Sequence, residues 1–170
     1  MAELALELGI RHATRDDLPA IVAIYNSTVA SRMVTADLAP VSVAQREAWF
    51  AAHSPAQHPI WVVEQDGALI AWVSLSAFHS RAAYDATAEI SIYLDPAARG
   101  QGLGGRLLRF AEEAAPALGI RTLVGLVFAH NVPSVALFAK HGYARWGELP
   151  DVAELDGVRR SLLYLGRHLQ

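Results

Sequence analysis

Four glycines stand within six positions at the centre of the stretch DPAARGQGLGGRLLRF. Gly100, Gly102 and Gly105 fit the pattern G-x-G-x-x-G, whereas Arg99, Gly102 and Gly104 fit R-x-x-G-x-G. Glycine lets a backbone turn tightly and approach a phosphate closely, and free N–H groups at the start of a helix can hold the anion. Both patterns therefore predict a pyrophosphate-binding loop, and both NAD and coenzyme A carry a pyrophosphate.

The sequence after this loop favours coenzyme A over NAD. A dinucleotide fingerprint needs an acidic residue about 20 positions further on, at the end of the next strand, to bind a ribose hydroxyl. No Asp or Glu occurs between Glu113 and Glu148. The alternative of a turn that binds nothing is disfavoured, because four glycines before a helix are costly unless something approaches the backbone.

The composition of the 170-residue chain predicts a single folded domain over residues 1–170, with 53% hydrophobic and 18% charged residues. The net charge of −3 and the absence of a Lys or Arg run indicate neither a nucleic-acid partner nor a membrane partner. Without cysteine there is no disulfide, no thiolate zinc site and no cysteine acyl-enzyme. The seven histidines are scattered, so no metal site is expected, and the absence of a signal-peptide pattern favours a cytoplasmic location.

The secondary-structure elements that must position the loop are predicted to follow one another in the order β-α-α-β-β-β-α-β-α-β-β. Thr14 and Asp17 form a capping-box pattern before a helix that extends to about Ala30, and Ser42 precedes a second helix. Asp66-Gly67 indicates a hairpin turn. TAEISIYL and TLVGLVF read as strands on either side of the glycine loop and a helix of roughly residues 104–118. The pattern predicts an α/β fold with a mixed sheet.

Several motifs together resemble the GNAT superfamily of N-acetyltransferases. These are RGQGLG preceded by EISIYL, and NVPSVALFAKHGY further on. The resemblance is closer to the branch that acetylates phosphinothricin, methionine sulfoximine and L-amino acids, which carries F-x-x-R-x-x-Y followed by T-x-E-x-S-x-Y. In this chain those positions are Phe78, Arg81, Tyr84, Thr87, Glu89, Ser91 and Tyr93.

The resemblance implies a GNAT fold, with a central, mostly antiparallel mixed sheet of about seven strands and helices on both faces. It implies an enzyme that transfers acetyl from acetyl-CoA to a small amino-acid-like amine by direct attack in a ternary complex, and a homodimer. A non-catalytic acyl-CoA sensor and an acetyltransferase of peptide or protein N-termini remain open as alternatives.

The same resemblance assigns roles to individual residues. Glu89 is the expected general base, although it could be a solvated strand residue, and Arg81 is expected to bind a substrate carboxylate unless it is a solvated loop residue. Other expected substrate contacts are Phe78, Ala82, Ala83, Tyr84 and Thr87, of which Phe78 and Tyr84 could equally be core residues. Expected coenzyme contacts are Ile92, Tyr93, Leu94, Arg99, Gly100, Gln101, Gly102, Leu103, Gly104, Gly105, Asn131, Ser134, Phe138 and Lys140. Asn131 could also serve simply as a helix N-cap.

Phe138 departs from the pattern of the resembling family. The superfamily often has Tyr at this position, and the phosphinothricin enzymes often have His. A phenylalanine cannot donate a proton. The sequence therefore offers no side-chain acid at this position for the departing thiolate.

Overall fold

A computed structural model describes all 170 residues and contains five α-helices and seven β-strands. The helices are α1 (Ala2–Leu8), α2 (Leu18–Val29), α3 (Val43–Ala51), α4 (Leu103–Ala114) and α5 (Val132–Lys140). The strands are β1 (Ile10–His12), β2 (Ile60–Gln65), β3 (Ala68–Ala77), β4 (Thr87–Leu94), β5 (Thr122–Phe128), β6 (Ala144–Leu155) and β7 (Val158–His168). None of the helices is both long and apolar enough to cross a bilayer.

The seven strands form one mixed sheet with the order β1-β2-β3-β4-β5-β7-β6. Every neighbouring pair is antiparallel except β4 and β5, which are parallel. The β2–β3 hairpin turns at Asp66-Gly67 and the β6–β7 hairpin turns at Asp156-Gly157. The predicted mixed sheet and the hairpin predicted at Asp66-Gly67 are therefore confirmed.

Helices cover both faces of this sheet, and the alternation of β4 shows which residues point to which face. Ala88 and Ile90 belong to the larger core cluster with α4, where Leu107 and Leu108 are fully buried. Tyr93 packs on the opposite face with Trp72 of β3 and with α2 and α3. Since side chains alternate along a strand, Glu89 shares the face of Tyr93.

The N-terminal helix α1 was not predicted from the sequence. Its seven residues are too few to show a helical period, and an isolated helix of this length is marginal in water. Leu4 and Leu8 pack on the larger core cluster, and Gly9 ends the helix in the left-handed conformation at φ 65°. A side chain at Gly9 would lie 2.4 Å from the Glu64 carbonyl oxygen, so the close contact with β2 requires glycine there.

The capping box at Thr14 and the helix cap at Ser42 are confirmed, although the helix after Thr14 begins later than predicted. Thr14 N–H donates to the Asp17 carboxylate at 2.7 Å, and Gln45 N–H donates to Ser42 Oγ at 3.2 Å. The residues after Thr14 form a short 3₁₀ turn, and α2 begins only at Leu18. Similarly, the helix predicted to reach Leu118 becomes 3₁₀ after Ala114, where Pro116 offers no N–H.

Gly125 in β5 allows α5 to lie against the sheet. The ring of Phe138 occupies the place of a side chain at this position, and an added Cβ would lie 2.7 Å from two of its carbon atoms. Phe138 is 7% exposed and its ring meets Tyr143 edge-on at 4.9 Å, so it has little freedom to move away.

Gly125→Ala is therefore expected to destabilise the protein by about 1–3 kcal/mol through overpacking. Urea unfolding followed by circular dichroism measures this change. Gly147→Ala is the matched control, because Gly147 lies in β6 and its added Cβ would meet only Tyr164 Cβ at an ordinary 3.9 Å. Equal stability of the two variants would show that α5 does not need this close approach.

Candidate active site

The glycine loop presents a run of free N–H groups at the start of α4. None of the six backbone N–H groups in residues 100–105 donates to an acceptor within the protein. Gly100 and Gly102 have φ of 74° and 76°, and a Cβ built on either would meet no heavy atom within 4 Å. The loop therefore offers an open surface of donors at a helix N-terminus, which suits a pyrophosphate.

Hydrogen bonds on both sides fix the conformation of this loop. Asp95 Oδ1 accepts from Ala97 N–H at 2.9 Å and begins a 3₁₀ turn over Pro96–Ala98. The Arg99 guanidinium donates to the Leu94 carbonyl oxygen at 3.2 Å and reaches Ser27 Oγ of α2 at 3.4 Å. The side chain of Arg99 thus braces the end of β4, so that the loop stays beside the sheet.

A cleft opens beside the loop because β4 and β5 separate. Their parallel pairing covers only Thr87–Glu89 against Thr122–Val124. Beyond Glu89 the edge of β4 that faces β5 has no strand partner, and a cavity of about 150 Å³ lies between the strands. Nine of its lining residues are hydrophobic, and it is lined by Val34, Ile90, Ser91, Ile92, Tyr93, Leu94, Gly104, Leu126, Val127, Asn131, Ser134, Leu137 and Phe138.

Several predicted coenzyme contacts meet in this cleft. Ile92, Tyr93 and Leu94 form its β4 side, and Asn131, Ser134 and Phe138 belong to its opposite wall. Burial raises the pKa of Tyr93, so its hydroxyl keeps its proton. The cleft joins an unpaired strand edge to an apolar wall, which can hold an amide-containing chain and a thioester.

Asn131 is the N-cap of α5 and also lies on the wall of the cleft. Its Oδ1 accepts from Ser134 N–H at 3.4 Å, which caps α5, and its buried side chain also lines the cleft. The cap holds the first turn of α5 at the cleft wall.

Of the predicted coenzyme contacts outside the cleft, most belong to the glycine loop, whereas Lys140 lies elsewhere and Gly105 packs against a helix. Lys140 is exposed at the end of α5, in a polar depression with Arg109 and Arg167. Gly105 packs against the end of α5. A Cβ added to this glycine would lie 3.2 Å from His141 Nε2. A glycine at position 105 is thus required for helix packing, while its N–H remains one of the free donors.

Glu89 lies where β4 and β5 stop pairing, on the face of the sheet covered by α2 and α3. No protein group donates a hydrogen bond to its carboxylate, and burial raises its pKa above the ordinary value. Thr87 and Ser91 lie two residues before and after Glu89 on the same face. A half-buried carboxylate with a raised pKa is suited to accept a proton.

The loop between β3 and β4 leads directly into the strand that carries Glu89. Arg81 is exposed, its guanidinium has no protein partner, and it precedes a 3₁₀ turn at Ala82–Tyr84. The rings of Phe78 and Tyr84 are 5.9 Å apart, and Tyr84 is 42% exposed. Tyr84 is therefore not a core residue, and the loop presents an unpaired cation and an aromatic surface to solvent.

The segment from Ser31 to Pro40 also contributes to the site, which the sequence did not predict. Val34 lines the cleft from this segment. Arg32 ion-pairs with Asp156 of the β6–β7 turn at 2.7 Å, and its carbonyl oxygen contacts His130 Nε2 at 2.7 Å. The anchoring side chains come from distant parts of the chain, so no local pattern could have indicated them.

Nowhere in the structure do three or more His, Asp or Glu side chains gather as a metal-binding group.

Comparisons with known proteins agree with this geometry. YwnH of Bacillus subtilis, whose name carries a provisional assignment as a phosphinothricin acetyltransferase, is 52% identical over 95% of this chain and 99% of its own. The L-methionine sulfoximine/L-methionine sulfone acetyltransferase of Pseudomonas paraeruginosa is 31% identical, over 96% of each chain.

A solved structure shows the same fold with the expected coenzyme. The phosphinothricin acetyltransferase of Sinorhizobium meliloti, in complex with acetyl-CoA, is 30% identical and superposes with a TM-score of 0.87 over 94% of this chain and 87% of that one. The sequence profile described as "Acetyltransferase (GNAT) family" matches residues 21–143. The fold predicted from the resemblance is therefore confirmed, and the chain belongs to the GNAT family of acetyltransferases.

Proposed function

We propose that this acetyltransferase uses acetyl-CoA to acetylate the amino group of small amino-acid-like substrates, by direct attack in a ternary complex. The observation that carries the proposal is a cleft lined by Gly104 of the donor loop and by residues 90–94 of β4, the strand on which Glu89 directly precedes the cleft residues. The substrates named for its relatives, phosphinothricin and methionine sulfoximine, support an amino-acid-like substrate. A screen of CoA release over amino acids, methionine sulfoximine, phosphinothricin and polyamines tests it.

In this proposal, each part of the site has one task. The loop N–H groups bind the coenzyme pyrophosphate, and the unpaired edge of Ile92–Leu94 binds the pantetheine arm. A backbone N–H of that edge polarises the thioester carbonyl. Glu89 accepts a proton from the amine, which then attacks, while Arg81 binds the substrate carboxylate.

Phe138 favours a second candidate, a protein that binds acyl-CoA without turning it over. Its ring packs against Gly125 and Tyr143, and it has no proton to give to a leaving thiolate. Thiol release above background with any amine of the panel excludes this candidate. Acetylation of peptides but not of free amino acids would instead indicate a protein N-terminal acetyltransferase.

We also propose that the protein acts as a homodimer. The outer edge of β6 has no strand partner, since this strand pairs only with β7. Trp146, Leu149 and Val152 on β6 are 41–56% exposed, and an apolar strip on an open edge strand is suited to a second copy. Sedimentation equilibrium measures the oligomeric state, and a monomer at micromolar concentration would contradict the proposal.

Gly102→Ala is expected to weaken acetyl-CoA binding at least about tenfold, because the new methyl group would stand where the phosphate approaches the backbone. Isothermal titration calorimetry measures the affinity. Gly119→Ala is the control, because Gly119 has the same positive φ, here 80°, and open surroundings, but lies beyond α4. If both variants bind acetyl-CoA equally well, the loop is not the pyrophosphate site.

Glu89→Gln is expected to lower kcat by about 10²–10⁴, because the amide cannot accept a proton. Acetyl-CoA binding should be retained. In the wild type, kcat/KM should fall as the pH drops through the pKa of Glu89, since the protonated carboxyl cannot act as a base. Burial raises this pKa, so the acidic limb should lie above the ordinary glutamate pKa of about 4.3. Normal turnover of the variant at neutral pH would assign Glu89 a structural role.

Arg81→Ala is expected to raise KM for amino acids by roughly 10-fold or more, since a charged hydrogen bond contributes about 1.5–3 kcal/mol. The KM for acetyl-CoA should not change. The matched comparison is between an amino acid and its decarboxylated amine, measured with both enzymes. An equal loss for both substrates would mean that Arg81 holds the loop rather than the carboxylate.

A further inference from the structure

His53 and Ser76 form a hydrogen-bonded pair on the same face of the sheet as Glu89. His53 follows α3, and its ring lies between the Trp49 carbonyl oxygen, 2.7 Å from Nδ1, and Ser76 Oγ, 3.0 Å from Nε2. A carbonyl oxygen only accepts, so Nδ1 carries the hydrogen, and in the neutral ring Nε2 accepts from the Ser76 hydroxyl. Burial lowers the pKa of His53, which favours this neutral form.

Ser76 stands directly opposite Glu89 in the antiparallel register of β3 and β4. Side chains opposite each other in such a pair have Cβ atoms about 4.5–5.5 Å apart, and since the two groups form no direct hydrogen bond, one water can bridge the hydroxyl and the carboxyl. Because Ser76 donates to His53, its oxygen is free only to accept. The pair is therefore polarised to take a proton from Glu89 and pass it towards His53.

The acetylation reaction must dispose of one proton in every turnover. An ammonium substrate and acetyl-CoA become an amide, CoA thiol and one free proton. Glu89 takes this proton while coenzyme and substrate cover the open side of the cleft. His53 lines a separate surface cavity of about 160 Å³, together with Ala13, Arg15, Phe50 and Ser54, and that cavity shares no residue with the cleft. Solvent therefore reaches the far side of His53.

We propose that Ser76 and His53 carry to solvent the proton that Glu89 removes from the amine, an inference that rests on the role proposed for Glu89. The Glu89 O–H bond breaks as Ser76 Oγ takes a proton through the bridging water, and the Ser76 hydroxyl proton passes to His53 Nε2. Both N–H groups of the imidazolium then face protein oxygens, Trp49 O and Ser76 Oγ, so the ring rotates away from Ser76 before Nε2–H gives its proton to water in the cavity. Glu89 is restored as a carboxylate, and no other reactant is needed.

The charged groups around His53 favour this discharge. Burial has the largest effect and lowers the pKa of His53, the hydrogen bond to the Trp49 carbonyl oxygen opposes it, and the charge of His58 on the same loop lowers it again. Arg15 lines the same cavity and pairs with Glu47 of α3, so no carboxylate is left to hold the imidazolium. A protonated His53 is thus short-lived, which suits a relay.

His53→Ala and Ser76→Ala test the relay in the full-length protein, with acetyl-CoA and L-methionine sulfoximine as substrates. Both variants are expected to lose about tenfold or more in kcat, with an unchanged KM for acetyl-CoA. Imidazole added to the assay should restore the activity of His53→Ala in a saturable way, because it can accept the proton from Ser76. It should not restore Ser76→Ala. His12→Ala is the control, since His12 is exposed on β1 and makes no hydrogen bond to Ser76 or His53, and its kcat should stay at the wild-type value.

Two results would overturn the relay. One is a wild-type kcat in His53→Ala. The other is a loss of kcat in His53→Ala that added imidazole does not reverse, although the variant unfolds at the wild-type temperature; this would show that the ring contributes only packing. If the wild-type enzyme turns over L-methionine sulfoximine in the same assay, the proposed function holds, and either of these results contradicts the relay alone. If the wild type turns over and Glu89→Gln does so equally well, the base itself, and with it the relay, is wrong.

Discussion

The separation of β4 from β5 is the constraint on which the rest of the site depends. Two parallel strands that paired along their whole length would satisfy all their backbone groups and leave no cleft. Here the pairing stops after Glu89, and an apolar cavity lies where the next hydrogen bonds would have formed. Unpaired backbone groups in an apolar environment are costly, so the open edge of β4 favours a ligand that can replace the missing strand.

The helices on either side keep this opening in place. Asn131 fixes the first turn of α5, while Gly125 and Phe138 set the distance between α5 and β5. On the other face, the rings of Trp72 and Tyr93 stack at 4.5 Å, and Trp72 Nε1 donates to the Ile21 carbonyl oxygen of α2 at 3.1 Å. Ile90 of one wall and Phe138 of the other belong to the larger core cluster, while Tyr93 packs on the smaller one, so the walls cannot close on each other without disrupting this packing.

Local patterns in the sequence predicted most of the fold, but only part of the site. The alternation around Glu89, the caps at Thr14, Ser42 and Asn131 and the glycines of the loop act over a few residues, and a sequence shows such features directly. A glycine in a strand often marks a position where another group packs close to the backbone, but the sequence could not identify Phe138 as the group that packs on Gly125. The roles of Val34, His53 and Ser76 depend on contacts between distant segments, and no local spacing indicates these.

The segment that contributes Val34 to the wall of the cleft, called here the cover, contains one residue in a backbone conformation that its side chain disfavours. Arg32 has φ 56°, which costs a non-glycine residue about 1–2 kcal/mol, and this residue keeps it while Asp156 and His130 bind it. Asp156 lies on an exposed hairpin turn, and a surface ion pair is weak and sensitive to salt. The cover is therefore among the first parts of the molecule to open locally, at a free energy well below that of global unfolding. Warming or high salt would then expose the cleft to water, and to proteases at residues 31–40, while the sheet beneath it is still intact.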